Sequence, residues 1–291
     1  MINLIYTCAG VYFTPGFSSM SHRHAKKHKR SKKGQNVPPS DSQEIVRIGS
    51  ALLDPETQKI VVFTENMLLN QLRRDGPKIE ASFDRLCEDD LIQLSALFSK
   101  TNGLIYSGLT IASREEDELR IACAQLLMNA SNSFGAAVAV LRMGYVLQPG
   151  IILRSLLEAV STALYLIQNP NHLPSYQNHT LQSQKTIAVA KKAVPPLGSL
   201  YGHFSDNFAH IGRLHKSITP VNEYSEENDA LTVNLSSLRI AAWLLYVTAE
   251  LLFNELLEVP RYWQAVKQGY MYNPSEEEKA WMKSYFQMEK L

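Results

Sequence analysis

Cysteine is scarce in this chain. Its 291 residues hold three, Cys8, Cys87 and Cys123, none at a metal-ligand or redox spacing. An odd and scattered set makes no disulfide framework and leads us to expect a reducing, cytoplasmic setting. HExxH, a glycine-rich phosphate loop, GxSxG and paired CxxC are all missing, so no cofactor and no metal site is expected. His22, His24 and His28 sit close together, but a segment without fixed geometry would hold an ion only adventitiously. Clean hydrophobic runs are missing too. The apolar stretch from Ala136 to Ile167 is broken by Arg142, Pro149, Gly150, Arg154 and Glu158, charges that are costly in lipid, so no membrane span is expected.

Acidic residues are absent from positions 1–40, which carry seven of the 29 lysines and arginines. The remaining 22 face all 28 acids, so residues 41–291 carry a net −6 beneath a whole-chain charge of +1. Such a body does not attract nucleic acid by charge alone. The basic run from Arg23 to Lys33 is the one segment suited to phosphates, in a salt-dependent way. The first 19 residues are mildly apolar but lack a preceding basic segment, which makes them a poor secretory signal. Met20 opens a more ordinary soluble N-terminus, and translation is expected to begin there.

Residues 1–42 have too little apolar content to build a core and are expected to form a disordered basic arm. Two β-branched runs flank Asp54-Pro55-Glu56-Thr57, which reads as a β-hairpin within a 43–76 segment that ends in a short helix stopped by Gly76-Pro77. No later strand signal is comparable. Residues 77–291 read as helices: one over about 89–100, a long one from a Ser113/Glu116 capping box with a kink or close approach near Asn129–Gly135, and one starting at Pro149. A polar helix over about 174–193 follows, then one through LYGHFSDNFAH, a last long helix over Ala230–Glu258, and two short ones at about 260–268 and 275–288. The expected fold is mainly α, a multi-helix bundle with a small hairpin near its N-terminal end.

Two constellations stand out. The run GIILRSLLEAVSTALYLI, residues 150–167, is apolar almost all round, as a central helix is, yet Arg154 and Glu158 stand one turn apart in it. Arginine before glutamate is the weaker order for an exposed pair. Either the two form a buried pair that fixes helix register, or their stripe lines a cleft and Arg154 clamps an anion. Farther on, Asp206 and His210 are four apart beside the apolar face Leu200, Phe204 and Phe208. On a regular helix the carboxylate would orient the imidazole for acid–base work; the alternative is a solvated polar face. The stripe Arg239, Trp243, Tyr246 and Glu250 reads as packing with a polar edge.

The R-S-L-L-E helix, with Arg154 and Glu158, and the later Tyr-x3-Ser-x4-His segment, with Tyr201, Ser205 and His210, resemble a family of uncharacterised bacterial helical proteins over about 115–258. That group is similar in arrangement to HEPN-like domains, many of which are metal-independent ribonucleases in stress or phage defence. The resemblance implies a helical bundle and raises RNA as a partner, with His210 as general acid/base, Asp206 orienting it, Arg154 stabilising phosphate charge and Glu158 holding Arg154. The family's Arg-x4–6-His motif is absent around His203, His210 and His215. A non-enzymatic interaction or sensor module, partnered by another protein, therefore stands beside the ribonuclease reading.

Overall fold

The computed structural model describes residues 48–53, 60–210, 215, 220–226, 228–267 and 269–286, all within the unit Arg47–Leu291. The expected basic arm and native start lie outside the described residues. Strands β1 (Ile48–Leu53) and β2 (Ile60–Thr64) pair antiparallel, Leu53 opposite Ile60 and Ala51 opposite Val62, with an irregularity between Ile48 and Ser50. This is the expected hairpin. Gly76-Pro77 does not end the helix after it. α1 (Met67–Asn70) runs through a π turn at Gln71–Asp75 straight into α2 (Gly76–Leu86), because proline in a first turn needs no amide partner and suits helix entry.

The body is built from α3 (Glu88–Arg114), α4 (Glu118–Arg142), α5 (Gln148–Gln168) and α9 (Asp229–Leu252), which pack on one another around a single core. Between α5 and α9 come α6 (Leu173–Gln177), α7 (Ser183–Ala193) and α8 (Pro195–Phe204), the last continuing as a π turn through Ser205–Ala209. Helix α7 covers another side of α5 and carries α8 against it. The polar helix expected at 174–193 is thus two helices, parted where His179 takes a left-handed φ of 57°.

Three local expectations are corrected. Asn102-Gly103 does not close a helix; α3 runs through both to Arg114, and the next helix is capped by Asp117, whose carboxylate accepts from the Arg120 amide at 3.0 Å, rather than by Ser113. Within Asn129–Gly135 the buried Ser131 hydroxyl donates to Asn102 Oδ1 of α3 at 2.8 Å, while a Cβ at Gly135 would meet nothing within 4 Å. At Gly108 a Cβ would lie 2.3 Å from the Phe253 ring, so the α3 backbone touches the end of α9. Finally, Trp263–Val266 and Gly269–Tyr272 form a second antiparallel hairpin, β3 and β4, in place of a helix. Gly269 takes φ 123°, a turn conformation that glycine alone adopts readily, and three aromatics favour the strands. Helix α10 (Glu276–Tyr285) follows with the expected Ser275 cap, which accepts from the Glu278 amide.

Helices α5 and α9 are both long and apolar enough to cross a membrane, with mean hydropathy 1.6 and 1.4. Both are largely enclosed by the other helices. On α9 the Arg239–Glu250 stripe is no edge. Arg239 is buried, donating to Asp90 of α3 and to the Tyr285 carbonyl. Glu250 is fully buried, and its Oε1 accepts from the Tyr262 and Trp263 amides at 2.6 and 3.1 Å. Arg239, paired with Asp90, ties α9 to α3 and α10, and the Glu250 carboxyl ties it to β3 through backbone amides, since buried polar groups are costly unless hydrogen-bonded.

Candidate functional site

Helix α8 docks on the Arg154 stripe of α5. The approach is set by glycine: a Cβ at Gly150 would fall 2.3 Å from the Phe208 ring. The apolar face Leu200, Phe204 and Phe208 is buried in this seam, and Phe204 and Phe208 meet edge to face at 5.9 Å. Farther along, Tyr201 reaches between the two charges. Its hydroxyl accepts from Arg154 Nη2 at 3.2 Å and donates to Glu158 Oε1 at 3.2 Å, while the guanidinium lies 5.4 Å from the Tyr201 ring centre. Arg154 Nε is 3.6 Å from Glu158 Oε1, an ion pair but a long one.

The pair is not sealed in the core. The Arg154 and Glu158 side chains are 30% and 35% exposed, so the stripe sits at the rim of the bundle. The hydrogen bond that the guanidinium donates to the Tyr201 hydroxyl raises its pKa above the ordinary value, against burial, which lowers it. Two polar atoms in this seam are buried without a hydrogen-bond partner, Arg154 Nε and Ser205 Oγ. Ser205 lies in the chain between Tyr201, which bonds Glu158, and Phe208, which packs on Gly150. Buried donors left unmatched are uncommon and mark strain or a missing guest.

Beside Glu158 a cleft of about 360 Å³ opens, walled by Ser155, Thr162, Tyr176, His179 and Ser183 among others. Burial pushes the Tyr176 phenol up. His179 reaches this wall through its left-handed turn, which a single continuous helix over 174–193 could not provide.

Asp206 and His210 come out differently. Both are exposed, and no hydrogen bond joins them among the described residues. The π turn at Ser205–Ala209 is the cause. The His210 amide donates to the Ser205 carbonyl five residues back, and His210 itself is extended at φ −99°, ψ 150°. The four-residue spacing that aligns side chains on an α-helix is lost across such a turn. His210 follows, by two residues in the chain, the Phe208 that packs on Gly150 near the N-terminal end of α5.

Among the described residues no group of three His, Cys, Asp or Glu is arranged to hold a metal. Arg154 and Glu158 were legible in the sequence, and Tyr201 and Ser205 were visible only as parts of a recurring segment without a role. His179 gave no signal. No curated protein and no solved structure matches the chain. A family does: residues 120–227, which hold Arg154, Glu158, Tyr201, Ser205, Asp206 and His210, match the family of unknown function DUF5677.

Proposed function

We propose that the protein binds RNA, with a backbone phosphate seated at the α5–α8 seam. The observation that carries this is the partly exposed Arg154 guanidinium, held at the rim by Tyr201 and Glu158 beside a cleft of about 360 Å³. A phosphate oxygen accepts from the exposed part of a guanidinium, and charge-assisted bonds of this type are the strong ones. Glu158 and Tyr201 position the arginine. The Arg23–Lys33 run adds non-specific attraction that the acidic body lacks. The setting is the reducing cytoplasm, and the bundle is HEPN-like in arrangement.

Fluorescence anisotropy with a labelled single-stranded RNA tests this. Arg154→Ala should weaken binding by about tenfold or more, as removal of a charge-assisted hydrogen bond does. Ser205→Ala should weaken it less, with circular dichroism unchanged in both. Equal affinity for wild type and folded Arg154→Ala sinks the proposal.

The finer reading is a metal-independent ribonuclease with His210 as general acid/base. Its support is the chain position of His210, two residues after Phe208, which packs on Gly150 of the helix that carries Arg154; the solvent-exposed Asp206, which has no bond to His210, favours the non-enzymatic reading instead. RNA cleavage in the presence of a chelator, abolished in His210→Ala, decides for the enzyme.

A further inference from the structure

The cleft beside Glu158 has two unlike halves. Its apolar part is Leu126 of α4, Ala159 of α5, Tyr176 of α6 and Leu181, all packed on the core. Its polar part includes Glu158 on α5 and His179 on the connection between α6 and α7. No described lysine or arginine lines it. At about 360 Å³ it lies near the lower end of the roughly 300–1,000 Å³ typical of small-molecule sites, which suits one flat ring system rather than a length of chain.

Glu158 is the one carboxylate in this lining, and an ionised carboxylate only accepts hydrogen bonds, at about four lone-pair positions. Tyr201 and Arg154 both meet its Oε1, at 3.2 and 3.6 Å, and Oε2 makes no hydrogen bond to a described residue. The side chain is 35% exposed, so acceptor capacity is left for a guest. A cationic guest is disfavoured, because Arg154 already compensates the carboxylate and repels a second cation. A phosphate is disfavoured by the carboxylate itself. What fits is a flat, neutral group with hydrogen-bond donors along one edge. Single-stranded RNA offers such groups: its bases splay out, stack on aromatic or histidine rings and are read along their Watson–Crick edges. Of the four bases, guanine alone carries two adjacent donors there, the ring N1–H and the N2 amine. Adenine and cytosine put an acceptor beside their amine, and uracil flanks its single donor with two carbonyls.

We infer that the cleft is a guanine-reading subsite, resting on the RNA reading for the neighbouring phosphate at Arg154. The Glu158 carboxylate accepts from N1–H and the N2 amine, and the base lies against the apolar Ala159, Tyr176 and Leu181 side of the cleft.

The experiment is isothermal titration calorimetry of the full chain with the 5′-monophosphates of guanosine, inosine, adenosine, cytidine and uridine. Wild type should bind guanosine monophosphate about tenfold or more tighter than the adenosine, cytidine and uridine compounds. Inosine monophosphate, which lacks the N2 amine, should fall between. Glu158→Gln turns one acceptor into a donor, which matches the acceptor and amine of adenine; the preference should move to adenosine monophosphate with circular dichroism unchanged. Arg154→Ala should weaken all five alike and keep their order. A wild type without base preference, or a guanine preference that survives in folded Glu158→Gln, overturns the inference. So does tighter binding of methylguanidinium than of guanosine monophosphate, which would assign the cleft to a basic side chain of a protein partner. RNA binding without base preference leaves the phosphate seat standing and removes the subsite. A guanine preference without RNA affinity keeps the subsite and removes the RNA.

Discussion

The Tyr201 hydroxyl accepts from Arg154 and donates to Glu158, so it links two charged groups that otherwise lie 3.6 Å apart. Tyr201→Phe keeps the ring over the guanidinium and removes only the link. It should cost about 1 kcal/mol of stability by chemical denaturation and loosen RNA binding by several fold, less than Arg154→Ala. An unchanged affinity would mean that the arginine needs no positioning. Glu250 makes a pH prediction. Burial raises its pKa, against the pull of the Tyr262, Trp263 and Arg261 groups. A carboxyl whose folded pKa exceeds its unfolded one binds its proton more tightly in the native state. Its contribution is full below the unfolded value, near 4.3, and is lost as pH rises through the folded one. Thermal melts of wild type should therefore show a component that falls over this window, and Glu250→Gln should remove it. Cys123 offers a third check. It is fully buried, and burial moves its thiol up to about 12. In the native protein it should resist alkylation at pH 8 and react only on unfolding.

At the scale of elements, two close approaches in this fold are made at glycine. Gly150 admits Phe208, and Gly108 admits Phe253. Gly150→Ala drives a Cβ into a buried ring and should destabilise the protein by about 1–3 kcal/mol. It should also part α8 from α5 and lower RNA affinity in the surviving folded protein, even though residue 150 touches no ligand. Normal stability in that variant would show that the seam can shift without cost. The run of helices was legible because apolar residues recur at helical spacing, and the Ser275 cap because the signal is local. The π turn at Ser205–Ala209 was not legible. Its amino acids carry no local signal for a wider turn, and it holds the Phe208 ring that packs on Gly150 of α5. That one extra residue is what separates Asp206 from His210.

For the whole molecule, charge is divided between a basic N-terminal stretch and an acidic body of net −6. Removing residues 1–42 should reduce the salt dependence of RNA binding, by roughly 0.7 in the log–log slope for each phosphate that those residues neutralise, while Arg154-dependent discrimination persists. An unchanged slope would exclude the Arg23–Lys33 run from the RNA interface. Composition, periodicity and capping chemistry determined by themselves that this is a mainly helical bundle with an early hairpin, and that Arg154 and Glu158 belong to a central helix, because those signals act over one or two turns of chain. Tertiary structure alone decided the rest: that the pair lies at a rim and not in the core, that Tyr201 joins it, that His179 reaches the neighbouring cleft, and that Trp263–Val266 and Gly269–Tyr272 pair as strands. Each of these depends on which face of one element meets another, and side chains far apart in the chain settle that only when they pack.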